Sequence, residues 1–162
     1  MTNPFEWNVN WQALTTLITG VAAVAGAAWV ANKQNGLRRN EARIALLKER
    51  RDVIERFRVL ATEWQIGARM SRDGEQKLWT LVQDTRLLFE ESVYSAANEL
   101  FDSISRQNMY ERHASMYERS GDEQKRMTSI EREAEETEKI SVKIPELMQL
   151  LVSAAQVGSI FK

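Results

Sequence analysis

Residues 7–32, WNVNWQALTTLITGVAAVAGAAWVAN, contain no Asp, Glu, Lys or Arg. The core of that run, Trp11 to Ala31, is 21 residues long. As a helix it would extend roughly 30 Å, the thickness of the hydrocarbon layer of a bilayer. The run therefore reads as a membrane-spanning helix. Met1 to Trp7 carries Glu6 and no basic residue, so a cleaved signal peptide is the weaker reading.

The flanks give the span its ends and its direction. Trp7, Trp11 and Trp29 stand where aromatic anchors meet the two interfaces. Lys33, Arg38, Arg39 and Arg43 follow the run closely, and nothing basic precedes it. Positive charge stays on the cytoplasmic side. The expectation is a single-pass protein of the inner (cytoplasmic) membrane, with residues 1–8 outside, a transmembrane helix over 9–32, and a cytoplasmic domain over 33–162. The basic residues behind the span would also meet anionic headgroups.

The span is rich in small residues. Thr16, Gly20, Ala23, Gly26 and Ala27 lie on rows with four-residue spacing, which lets helix backbones approach closely. Those five residues are expected to mediate self-association of the span in a homo-oligomer.

Composition bounds the remainder. Lys and Arg number 22 and Asp and Glu 23, with Glu6 the only charge before Lys33. The domain is thus neutral overall, which disfavours a nucleic-acid partner, since phosphate binding needs a basic excess. The neutrality hides a gradient: residues 33–58 have nine Lys/Arg against four Asp/Glu. There is no Cys, so disulfides and thiolate chemistry are excluded. Two Pro and seven Gly among many Glu, Arg, Ala and Leu predict an all-α fold.

The expected architecture is one N-terminal transmembrane helix followed by a cytoplasmic bundle of long amphipathic helices. Asn35-Gly36, Asp73-Gly74 and Ser120-Gly121-Asp122 read as turns. Between them, apolar residues recur at spacings of 3 and 4. The helices are placed at about 37–70, 75–91, 93–119, 122–144 and 146–160. The first has Leu46, Leu47, Val53, Ile54, Phe57, Leu60, Ala61, Trp64 and Ala68 on one broad face. The second has Leu78, Leu81, Val82, Thr85, Leu88 and Phe89, and the third Ala96, Ala97, Leu100, Phe101 and Ile104. The half of the third from Arg106 to Arg119 is poor in apolar residues and is expected to project into solvent. A coiled-coil seam is read along Met127, Ile130, Ala134, Thr137, Ser141, Ile144, Met148, Leu151 and Ala155. Pro145 should end or kink that helix. The apolar residues beyond it fit a core helix better than a second, short membrane segment.

No constellation supports catalysis, a metal or a cofactor. His113 is the only histidine and lies in the polar half of its segment. Glu131, Glu135 and Glu138 read as a solvated face rather than a cation site. The remaining ligand signal is basic: Arg69, Arg72 and Lys77 surround the Asp73-Gly74 turn, and Arg86 lies further along the next helix. Guanidinium forks suit phosphates, so these four form a candidate anion cluster.

One more pattern bears on the layout. Trp11-Gln12-Ala13-Leu14 opens the span, Arg38-Arg39-Asn40-Glu41-Ala42-Arg43 follows it, and Thr85-Arg86-Leu87-Leu88-Phe89, Val93-Tyr94 and Glu99-Leu100-Phe101 come later. Over about residues 10–105 this order resembles an uncharacterised family of small bacterial single-span membrane proteins with a helical cytoplasmic domain. The resemblance implies that layout and no activity. The functional expectation is a membrane-anchored, self-associating helical interaction or scaffold protein without catalytic activity, acting on an unknown protein partner. The alternative is a ligand-gated membrane-disrupting effector, such as an antiphage-type sensor with pore-forming spans, or a holin-like protein.

Overall fold

The structure, a computed structural model, describes the backbone of residues 11–160 and the side chains of residues 19–21 and 23–156. All regular structure among them is helical: α1 (Trp11–Gly67), α2 (Arg72–Leu88), α3 (Glu91–Ser120) and α4 (Glu123–Ile160). The chain divides into two units, Met1–Ile44 and Ala45–Lys162. The first consists, in its described part, of the opening residues of α1. The second is a bundle made by the rest of α1 with α2, α3 and α4. Among the described residues no helix is long and apolar enough to cross a membrane. Of the expected span, residues 9 and 10 and the side chains of residues 11–18 and Ala22 lie outside the described residues.

The bundle core follows the apolar periodicity. Val53, Ile54, Phe57, Leu60, Ala61 and Trp64 of α1 meet Leu78, Leu81 and Val82 of α2. Val93, Ala97, Leu100 and Ile104 of α3 and Ile140, Ile144, Leu147 and Leu151 of α4 complete the layer. α3 packs against both α2 and α4. The Trp79 ring of α2 lies 5.0 Å from Phe101 of α3. Burying such side chains contributes roughly 1.5–3 kcal/mol each.

Three expected boundaries differ. Asn35-Gly36 lies inside α1 and makes no turn; Gly36 has a helical neighbour on each side and needs no positive φ. Asp73-Gly74 lies in the first turn of α2, and the true turn precedes it at Ala68 to Ser71. Gly74 is required there for space. A Cβ on it would sit 2.8 Å from Met70 Cγ and 3.0 Å from Glu63 Oε1. The residue that takes the left-handed conformation is Ala68, with φ of 50°. Ser71 then caps α2, its Oγ accepting from the Gly74 N–H at 3.0 Å and donating to Glu63 Oε1 at 2.7 Å.

The third difference is Pro145, which lies within a continuous α4 and so merges two expected helices into one. Its ring is on the exposed face, while Ile144 and Leu147 beside it are buried. Packing of that buried stripe outweighs the roughly 3 kcal/mol that an interior proline costs. The Ser120-Gly121-Asp122 turn is as expected. Gly121 adopts φ of 73°, and Asp122 Oδ1 accepts from the Lys125 N–H at 3.2 Å.

The seam on α4 is displaced in its first half. Ser129, Glu136 and Ile140 are buried there, whereas Met127, Ala134 and Ser141 are exposed. From Ile144 onward the two stripes coincide. Polar residues carry the buried stripe before Ile140, so an apolar periodicity misplaces it. For the same reason the second half of α3 does not project into solvent. Gln107 and Asn108 are buried, and Tyr110 and Tyr117 stack under Arg132 (5.9 Å) and Lys125 (5.7 Å) of α4.

Arg50 joins the far end of the bundle. Its Nε donates to the Leu88 carbonyl at 2.8 Å and its Nη1 to the Ala154 carbonyl at 3.2 Å, and its guanidinium lies 5.3 Å from the Phe89 ring centroid. Carbonyls near helix C-termini are natural acceptors for such a cation.

Candidate functional site

Two surfaces carry the residues singled out in the sequence. On the first unit, Ala23, Gly26, Ala27 and Gly20 are exposed. A Cβ built on Gly20 or Gly26 meets no atom within 4 Å. Large apolar neighbours are equally uncovered: Val21 is 63% exposed, Val24 71% and Trp29 65%. Lys33 Nζ lies 5.1 Å from the centroid of the Trp29 ring, and Arg38 and Arg39 are exposed. Trp7 and the side chains of Trp11 and Thr16 lie outside the described residues. Among the described residues nothing covers this apolar helix face.

On the bundle, the four basic residues of the expected anion cluster do not gather. Arg69 is engaged by carboxylates, at 2.6 Å from Glu111 and 3.5 Å from Glu133. Lys77 pairs with Asp73 one turn away, and that hydrogen bond and charge raise its pKa. Arg86 lies near the other end of α2 with its guanidinium 5.7 Å from the Tyr94 ring. Arg72 faces an open groove that none of the other three lines. That groove, of about 920 Å³, runs between the start of α2 and the second half of α3.

Its other cations come from α3. Arg112 and Arg119 line it, with Asn108, Glu111 and Ser115. Asn108, Arg112, Ser115 and Arg119 succeed one another at spacings of 4, 3 and 4, a single helix stripe. That stripe was readable in the sequence. It joins Arg72 only through the pairing of two helices, more than thirty positions apart along the chain.

Behind the groove lies a buried polar network. Gln107 is 1% exposed. Its Oε1 accepts from Trp64 Nε1 at 3.1 Å, and its Nε2 donates to the Ala68 carbonyl at 2.8 Å and to Thr137 Oγ1 at 2.7 Å. One side chain thus connects α1, the α1–α2 turn, α3 and α4. Nearby, Glu136 is buried between Lys139, 2.8 Å away, and Arg106, 3.3 Å away. Burial acts to raise its pKa. The Lys139 hydrogen bond and the Arg106 charge outweigh burial and hold the carboxyl below the usual range. His113 packs edge-on against Tyr117 at 6.2 Å, in the contact between α3 and α4.

No family model matches the chain, and no curated protein or solved structure does either.

Proposed function

We propose that the chain is a membrane-anchored, self-associating helical scaffold that holds its bundle at the cytoplasmic face of the inner membrane. The observation that carries this reading is the uncharged, small-residue face of the first unit, with its exposed Val21, Val24 and Trp29. Apolar side chains at that exposure are stable in lipid or against a second helix, and costly in water. The length of the charge-free run supports a span, and the basic residues behind it support a cytoplasmic bundle. Small residues support close approach of two such helices. The bundle's contribution in this reading is a rigid surface for a partner.

The test is the native mass of the full-length protein in detergent, together with its distribution between membrane and soluble fractions. The expected result is membrane retention and a dimer or larger. Gly20→Leu with Gly26→Leu should remain in the membrane and become monomeric. A Cβ at either position meets no atom within 4 Å among the described residues, so a loss of association reports on a neighbouring helix. Recovery of the wild type in the soluble fraction would overturn the anchor, and a monomeric wild type would overturn self-association.

A further inference from the structure

We infer that the groove between the start of α2 and the second half of α3 binds a phosphate-bearing small molecule through Arg72, Arg112 and Arg119. Three guanidinium groups from two helices line one concavity. Most arginines of the bundle are committed elsewhere: Arg56, Arg58, Arg69, Arg106 and Arg126 to carboxylates, and Arg86 and Arg132 to aromatic faces. Among the described residues, the guanidiniums of Arg72 and Arg119 take no ion pair, hydrogen bond or aromatic face, and Arg112 has only a long 3.8 Å contact with Glu75. Like charges gathered with too little counter-charge repel, and an anion placed among them removes that repulsion.

The carboxylates nearest the groove do not supply the missing charge. Glu111 is held by Arg69 at 2.6 Å. Glu75 accepts from Ser105 at 2.8 Å and from Asn108 at 3.0 Å. A phosphate monoester carries close to two negative charges at neutral pH and three acceptor oxygens, which suits several guanidinium forks at once. The volume of about 920 Å³ exceeds what inorganic phosphate fills and lies in the range of small-molecule sites. Met70 and Met116 give it an apolar wall for the organic part of the ester. The inference concerns the bundle alone and stands whether or not the first unit lies in a membrane.

The ester has two possible sources, a soluble metabolite or a lipid headgroup, and one experiment separates them. Full-length protein in detergent is titrated calorimetrically with ATP in the absence of divalent cations. The same protein in nanodiscs is compared with and without phosphatidic acid in a phosphatidylcholine background, using the melting temperature as readout. Saturable ATP binding that weakens with added salt supports a soluble ligand. A melting shift with phosphatidic acid and no ATP binding supports the site with a headgroup as its occupant. In either case Arg72→Gln or Arg119→Gln should weaken binding about tenfold each, and Arg86→Gln should leave it unchanged. All three side chains are exposed, and far-UV circular dichroism checks that each variant is folded. No saturable binding of either probe, or equal loss in Arg86→Gln, would overturn the assignment.

Discussion

Gln107 occupies a position where an apolar residue would ordinarily be expected. It is enclosed between helices, yet every hydrogen-bonding direction of its amide nitrogen is used, and its oxygen satisfies the Trp64 indole. A leucine of similar size would leave the Trp64 N–H, the Ala68 carbonyl and the Thr137 hydroxyl with fewer partners. Unsatisfied buried groups cost about 1–3 kcal/mol apiece. Gln107→Leu should therefore destabilise the bundle by about 2–4 kcal/mol in urea unfolding. An unchanged midpoint would mean that the amide is dispensable. Glu136 makes the second case at this scale. Its pKa is lowered in the folded state, so its contribution to stability is full above the unfolded carboxylate value of about 4.3 and lost as pH falls through the folded value. Thermal unfolding from neutral pH into that acid range should show a smaller fall for Glu136→Gln than for the wild type. Parallel curves would remove Glu136 from the acid response.

Among the elements, α4 shows most clearly where sequence and structure part. Ile144, Leu147, Met148 and Leu151 announce a buried stripe by hydropathy alone. Ser129, Glu133 and Glu136 occupy the same stripe earlier in the helix and are concealed because they are polar; Glu133 meets Arg69 of the α1–α2 turn, and Glu136 meets Lys139 of α4 and Arg106 of α3. Pro145 was legible as a break and is none, since its exposed position costs one hydrogen bond while the opposite face stays packed. Pro145→Ala should restore that bond and stabilise the protein by about 1–3 kcal/mol, read as a higher denaturation midpoint with an unchanged slope. A destabilised variant would mean that the proline sets a bend the packing requires. Gly74 teaches a related lesson. Beside Asp73 it looks like turn chemistry, but its role is the close approach of Met70 and Glu63.

At the scale of the whole molecule, the all-helical class and the positions of three of the four helices in the bundle were legible from apolar spacing. The core faces of α1 from Val53 to Trp64, of α2 and of the first half of α3 emerged nearly residue by residue, whereas Leu46 and Ala68, on the expected α1 face, are exposed. The groove did not, because it joins Arg72 to Arg112 and Arg119 across a helix pairing that spacing cannot supply. Arg69, Lys77 and Arg86 appeared equivalent to Arg72 by composition, and only packing separates the paired residues from the one that faces the groove. The apolar, charge-free face of the first unit remains the feature that sequence and exposure describe in common.

Arg50 has a consequence for how the bundle opens. It holds the last carbonyl of α2 and a carbonyl near the end of α4 from a third helix. Termini that would otherwise fray one at a time are thereby joined into a single opening event. Amide hydrogens around Leu88 and Ala154 should exchange with solvent at a common rate, set by departure of the Arg50 guanidinium rather than by the local unwinding of either helix.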